Sequence, residues 1–516
     1  MGKIIETTIN RFSGGIENDP RDPRENTCRM VSGFDILTNP RKMTPYRDSE
    51  DGDSAAATSE KQNFCLGYWT PTSTWRIFSL GVKSGAATAE ILMKDLTTGA
   101  STDLDDNGWA TPANNQSASG AAGFDLFLYY KRTGKIYGSR SLQYIWEFTP
   151  DGSTAWADSK YDYGSAFAHI SQGIVHSKDD IMYFGIDNKI IKNDNGSFSV
   201  ALTLPTHFYI TSICEYGNLL AIGCASLSGI GNSVVYLWDR DASLVTLQES
   251  INWGNGKLQV LDTIDGYLIG ISLLGGITTT FKDRIIFRYY YSGEAKKFKE
   301  IELGTSSTLK IAKQKVGNRI YFLMKGTFNG VTREGVWSIG RSTPDSPFSL
   351  IHERTPNNDT ALTNGVLKNF FIVDDFMFIS YVDNAVFYLS KTNDQASYTT
   401  TSIYETKIMG ESYLKNQLKS VGVMFEKLSA GQEVKLKCRI DGATSWTEIF
   451  DETTDNLLFR EAINFSDGTN LPEFREIEFQ ITSLGGAVIT GFWAQAEEVD
   501  KGLVSRILKV ISGWIG

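Results

Sequence analysis

Few residues of this 516-residue chain have the type and spacing to do chemistry. The run Asp103-Leu104-Asp105-Asp106-Asn107-Gly108 reproduces the first half of a calcium loop, where alternating carboxylates and a turn glycine wrap a hard cation. Its twelfth position is Asn114 instead of a bidentate glutamate, so an acidic turn is the reading adopted. His169, His176, His207 and His352 are scattered and share no helical face, which suits structural or surface roles better than metal ligation. Asp441-Gly442-Ala443-Thr444-Ser445-Trp446 has some letters of the turn repeated in sialidases, but it occurs once and its Asp and Gly are adjacent. The isolated Trp238-Asp239 pair does not establish a WD40 repeat. Glycoside hydrolysis needs two suitably spaced carboxylates, and a chain with 60 acidic residues offers many pairs without naming one. No G-x-S-x-G, H-E-x-x-H or phosphate-binding glycine loop occurs. The expectation is therefore a chain that is not an enzyme, with no catalytic, metal or cofactor-binding residues and no cofactor. Tyr289-Tyr290-Tyr291, Tyr129-Tyr130 and Trp109 could stack on sugars, although neighbours in a strand alternate faces and about half of such a run belongs to the core.

The elements that would position any site repeat along the chain. Residues 210–223, 258–272, 309–324 and 366–380 each read as an apolar strand, a tight polar turn and a second strand. Gly217, Gly266, Gly317 and Asp374 mark the equivalent turns, 49, 51 and 57 residues apart. That interval is the size of a four-stranded propeller blade. Weaker copies at 64–104, 124–149 and 173–204 bring the expected ring to about seven blades. Glycine is abundant (48), aromatics make up 12%, and long amphipathic helical patterns are almost absent, so the chain reads as all-β.

The ends differ from the middle. Residues 1–60 read as an extended arm and linker, whose Pro20 and Pro23 impose extended or turn geometry. Its charged residues Arg21, Asp22, Arg24, Glu25 and Arg29 would pair within the arm or with a neighbouring subunit. The arm either packs on its own propeller or reaches that neighbour. After the propeller (61–409), regular hairpin spacing over 410–498 predicts an antiparallel β-sandwich. Residues 499–516 carry Leu503, Val504, Ile507, Leu508, Ile511 and Ile515 at helical spacing. With Trp514 they predict a short amphipathic helix, docked on its own or a neighbouring subunit, and too short to span a bilayer. The net charge of −10, without a basic stripe, argues against phosphate neutralisation as the main role. Five scattered cysteines with no C-x-x-C pair suit a reducing compartment, and neither a secretory leader nor a myristoylation signal is expected.

Phe12-Ser13-Gly14-Gly15-Ile16 is followed by Asn18-Asp19-Pro20, then Gly33-Phe34-Asp35-Ile36 and Pro40-Arg41-Lys42-Met43-Thr44-Pro45-Tyr46-Arg47. This opening resembles that of tailed-bacteriophage virion proteins, in which a Gly-Gly-Ile lead and an Asn-Phe-Asp-Ile strand with Pro-Arg-Lys-Leu precede a β-propeller. Gly33 stands here for the asparagine and Met43 for the leucine. Val434-Lys435-Leu436-Lys437-Cys438-Arg439, Ser445-Trp446, Leu471-Pro472-Glu473-Phe474 and Ile489-Thr490-Gly491 are similar to a sandwich that follows such propellers. The resemblance covers both ends and brings no catalytic residue. It implies a nozzle or tail-hub subunit of a short-tailed phage, in a ring of sixfold symmetry. That ring would form part of the DNA ejection conduit and anchor fibres or spikes, with adaptor and portal as neighbours and DNA passing without specific binding. Such a protein is assembled in the host cytoplasm and resides in the virion tail. Arg21, Asp22, Arg24, Glu25, Arg29, Ile507, Leu508 and Trp514 are the expected subunit contacts. The alternatives are a carbohydrate-binding receptor protein of the tail and a glycan hydrolase on a propeller scaffold.

Overall fold

The turns that mark the repeat share one backbone conformation. Gly217, Gly266, Gly317 and Asp374 have φ of 60°, 80°, 57° and 49°. Each sits in a two-residue connection between antiparallel strands, where positive φ matches the strands' right-handed twist and glycine or aspartate tolerates it best. The computed structural model describes residues 4–17, 27–52, 59–83, 88–96, 108–113, 118–119, 126–140, 143–228, 231–241, 249–275, 282–305, 307–328, 330–357, 362, 365–384, 386–393, 397–398 and 401–499. Among these the chain is all-β, and the one helical element is a 3-10 turn at Thr70–Thr72.

The chain divides into two compact units, one of residues 49–338 and 355–394, the other of 1–48, 339–354 and 395–516. The first is the propeller. Its inner strands are Ser59–Trp69, Phe127–Tyr130, Ile174–His176, Phe208–Tyr216, Lys257–Ile264, Thr308–Val316 and Val366–Val373, and each begins an antiparallel meander. The first inner strand lies beside both the second and the last, which closes the ring. The last meander takes its outermost strand from Ser49–Asp51, with Ser390 opposite Asp51 and Thr392 opposite Ser49. Closure of this kind covers an edge that would otherwise invite pairing with another chain.

Apolar clusters fill the spaces between neighbouring sheets. Trp69 and Phe78 of the first meander meet Trp146 and Phe148 of the second, and Phe64 and Ile77 meet Phe378 and Leu389 of the last. Tyr183 and Ile190 pack with Ile213 and Trp238. Each sheet thus needs both neighbours to bury its two faces, and the ring is cooperative for that reason.

The second unit is a sandwich of two sheets. One runs in the order Ile4–Ile9, Ile489–Glu498, Asn416–Phe425, Phe459–Ala462. In the other, Ser349–Arg354, Met30–Ser32, Ser402–Glu405, Glu476–Leu484, Glu433–Ile440 and Thr447–Glu452 lie side by side. Phe479 and Phe492, one from each sheet, bring their rings to 5.0 Å. Among the described residues the two units divide at 48/49, 338/339, 354/355 and 394/395, not at the expected 60/61 and 409/410. The lead-in is extended, but it is not a separate arm, because Ile4–Ile9 and Met30–Ser32 satisfy their backbone groups inside the sandwich sheets. The amphipathic stretch at the C-terminus lies outside the described residues.

Candidate functional site

The inner strands line a channel, and five of them carry the same irregularity. Register shifts occur between Lys61 and Asn63, Ile210 and Ser212, Leu258 and Val260, Leu309 and Lys313, and Leu367 and Asn369. A bulge inserts an extra residue and re-aims side chains. Residues up to the bulges line one cavity of about 420 Å³, and residues beyond them line another of about 690 Å³. The two cavities share Asn63 as a lining residue.

Lys313 lines the larger cavity. Its ammonium donates to the Ile213 carbonyl at 3.0 Å and to the Leu261 carbonyl, and it pairs with Asp262 Oδ2 at 3.1 Å. The side chain is 7% exposed, so three strands share one desolvated cation. Gln314 adds a reciprocal pair, accepting from the Ile372 amide at 2.7 Å and donating to its carbonyl at 2.6 Å. The same cavity has Asp262 and Glu215 as its lining carboxylates. Glu215 accepts from the Ser177 amide and, at 2.9 Å, from its hydroxyl. Cys65 and Cys214 also line it, and burial pushes both thiols up, Cys214 to about 12, which keeps them protonated and poorly nucleophilic.

The smaller cavity differs in its charged lining, since the larger one holds Lys313 and Lys315 beside its two carboxylates. Lys257, Lys310, Lys368 and His169 line the smaller one, and no carboxylate does. His169 stacks on Tyr209 at 3.8 Å, and the Lys257 ammonium lies 5.4 Å from the centre of the same tyrosine ring. Burial first, and Lys257 second, hold the His169 imidazole below its ordinary value.

Another basic group organises the other ends of these strands. Arg240, at φ 71°, reaches His176 Nε2 at 2.8 Å and Asp179 Oδ2 at 2.7 Å, and donates to the Asn218 carbonyl. Burial, then Arg240, lower the His176 pKa against the opposing pull of Glu215 and Asp179. A histidine held neutral by the fold binds its proton first in the unfolded chain. Stability is therefore complete above the unfolded value near ~6.5 and falls as pH drops through it towards the lower folded value. The urea midpoint should be lower at acid pH than at neutral pH, and His176→Gln should narrow that gap. An unchanged gap in the variant would assign the dependence to other groups.

Of the expected subunit contacts, Arg21, Asp22, Arg24 and Glu25, with Ile507, Leu508 and Trp514, lie outside the described residues. Arg29 is described, and its guanidinium pairs with Glu478, which also takes Arg439. The calcium-like run 103–107 is outside as well, and among the described residues no group of three His, Cys, Asp or Glu side chains is placed to hold a metal ion. Trp109, a candidate sugar platform, instead donates to the Gly52 carbonyl at 2.9 Å and sits between Phe64 and Phe378. Tyr130 and Tyr290 are buried, whereas Tyr291 is exposed. Asp441, at φ 49°, is a structural turn residue whose carboxylate accepts from the Arg475 and Glu476 amides. Sequence reasoning missed the three lysines of the narrow cavity, although each stands near the start of an inner strand, 53 and 58 residues apart. Counted back from the turns at Gly266, Gly317 and Asp374 they stand 9, 7 and 6 residues away, so the repeat alone does not superpose them.

No protein-family model and no curated protein matches the chain. Solved structures do. A glycoside hydrolase matches with a TM-score of 0.27 and 10% identity, over 88% of this chain and 99% of its own. The exo-β-1,3-galactanase of Phanerochaete chrysosporium, solved with β-1,3-galactotriose, gives 0.30 and 9%, over 87% and 100%. The Dos1 propeller gives 0.37 and 9%, over 68% and 95%. The expectation that the chain is not an enzyme is corrected at this point, since glycoside hydrolases stand among the structures that it resembles. At this identity the likeness is one of fold and transfers no residue and no activity.

Proposed function

We propose that the chain is a structural subunit of a bacteriophage tail, a nozzle or tail-hub component that assembles into a ring with copies of itself. The observation that carries the reading is what the residues of the phage-like opening do in the fold. Ile16 donates to the Leu350 carbonyl at 3.0 Å, Cys28 to the Gly15 carbonyl at 2.9 Å and Phe12 to the Pro40 carbonyl at 2.8 Å. Phe12 packs edge-on against Tyr404 at 5.4 Å, and Phe34–Asp35 pairs with Thr44–Pro45. The opening thus belongs to the sandwich, through Leu350 and Tyr404, and that unit would carry the contacts of an assembly. Gly33, the departure from the phage pattern, has φ 75°, a conformation that asparagine adopts more readily than most residues. A net charge of −10 per chain would keep the ring as a whole from gripping DNA. Particle images of the purified full chain, alone and with the adaptor protein of the same tail, should show closed rings. A protein that stays monomeric under both conditions would contradict the reading.

A second reading is glycan hydrolysis in the wider cavity, favoured by the two carboxylates Asp262 and Glu215 that line it. It predicts new reducing ends when the protein is incubated with host-surface polysaccharide, lost in Glu215→Gln. Turnover that persists in both Glu215→Gln and Asp262→Asn would remove the cavity as its site.

A further inference from the structure

The sandwich sheet that contains Asn416–Phe425 keeps part of its outer face apolar. Register settles which side chains share that face, because partners across antiparallel strands point the same way and successive residues alternate. Thr8, Trp493, Gly422 and Glu461 form one row, and Met424 pairs with Phe459 in a further row of the same face. The intervening positions Val421, Val423, Phe492 and Ala494 are buried against the other sheet. The Trp493 indole occupies the space where a β-carbon of Gly422 would stand. At the sheet's edge Phe459 is 55% exposed, and Ile463, just past the strand, is 67% exposed. Large apolar side chains grouped in this way mark a docking surface.

The same face is acidic. Register places Glu6, opposite Gln495, on the side of Thr8 and Glu461. The Glu6 carboxylate accepts from Gln495 at 3.0 Å, and no ion pair among the described residues includes Glu6 or Glu461.

The chain itself carries the complement. Its described residues end at Val499, whose amide donates to the Lys415 carbonyl at 2.8 Å, beside the Gln417 end of this sheet. Beyond that point Leu503, Val504, Ile507, Leu508, Ile511 and Ile515 recur at helical spacing. Lys501, Arg506 and Lys509 follow Asp500, and no further acidic side chain does. The lengths agree. A helix over 503–515 would extend about 20 Å, and the strand from Gln417 to Met424 extends about 23 Å. The link 500–502 reaches about 10 Å. A tether so short holds the segment at millimolar effective concentration over its own sheet, which favours its own chain over a neighbour's.

We propose that residues 503–515 dock on the outer face of this sheet in the same chain, with the apolar stripe over Trp493, Phe459 and Ile463 and the basic residues towards Glu6 and Glu461. Of the two places expected for this segment, the proposal selects its own subunit. It goes beyond the tail reading, because the contact forms within a single chain whether or not rings assemble.

Hydrogen exchange read by mass spectrometry tests it, on the full chain and on a synthetic peptide of residues 500–516. The amides of 503–515 should exchange at least about tenfold more slowly in the chain than in the peptide. Phe459→Ser/Ile463→Ser should remove most of that protection, and the charge reversal Glu461→Lys should remove part of it. These positions are exposed, so the buried strand Glu476–Leu484 should stay protected in both variants. Carbodiimide cross-linking of mixed isotope-labelled and unlabelled chains should join Lys509 to Glu461 or Glu6 within one chain. Exchange as fast as in the peptide, the result if the segment serves a lipid surface instead, would overturn the proposal. So would unchanged protection in the double variant, or cross-links that join labelled to unlabelled chains, which would give the face to a second copy.

Discussion

Replacing Lys313 with methionine is expected to destabilise the propeller by about 3 kcal/mol, among the largest single effects in the chain. The ammonium is nearly excluded from water, and it serves Asp262 together with two main-chain carbonyls from different strands. Methionine fills much of the same volume but leaves a carboxylate without its counter-charge and two acceptors without their donor. Removing one partner of a fully buried pair costs about 3–5 kcal/mol, and the 16% exposure of Asp262 places the expectation at the lower end. The second variant makes the account specific. Lys313→Met/Asp262→Leu removes both charges and should recover most of the loss, because an apolar pair of similar size is often as stable as the ion pair it replaces. Urea unfolding followed by tryptophan fluorescence reads both. A loss under about 0.5 kcal/mol in the single variant would mean that the pair contributes little, as exposed ion pairs do.

Gly15→Ala should destabilise the sandwich by a similar amount, for a different reason. Gly15 has φ 67°, and a β-carbon there would meet Ser349 Cβ at 2.7 Å and the Leu350 backbone nitrogen at 2.9 Å. The left-handed conformation costs an L-residue about 1–2 kcal/mol, and overpacking against backbone adds roughly 1–3. Gly217→Ala separates the two terms. It has φ 60° but open space where a β-carbon would go, so only the conformational cost applies. Gly15→Ala should exceed Gly217→Ala by the packing cost, and equal losses would show that the contact with Ser349 and Leu350 relaxes freely. The Gly-Gly-Ile lead is thus a packing requirement at its second glycine.

The fold was legible where local rules decide it. Two-residue turns at Gly217, Gly266, Gly317 and Asp374 announce themselves by residue type, and the flanking apolar strands by alternation. The pairing of Ile4–Ile9 with Ile489–Glu498 was not legible, since nothing in either strand encodes a partner almost 500 residues away. Nor were Lys310, Lys368 and Gln259 legible as channel residues, because strict alternation cannot anticipate a bulge. The aromatic candidates show the reverse error. Trp109 looked like a surface platform in a small, polar stretch, and its indole is held between two neighbouring sheets by Phe64 and Phe378. Arg29 was expected to pair within the arm or with another subunit, and within this chain it pairs with Glu478.

The central claim is that the chain belongs to the axis of a phage tail. Immunogold labelling of intact particles, with antibody raised against the purified chain, tests it most directly. The account predicts gold on the tail itself, on every particle. Gold confined to fibre tips, or particles without label beside abundant free protein, would contradict it.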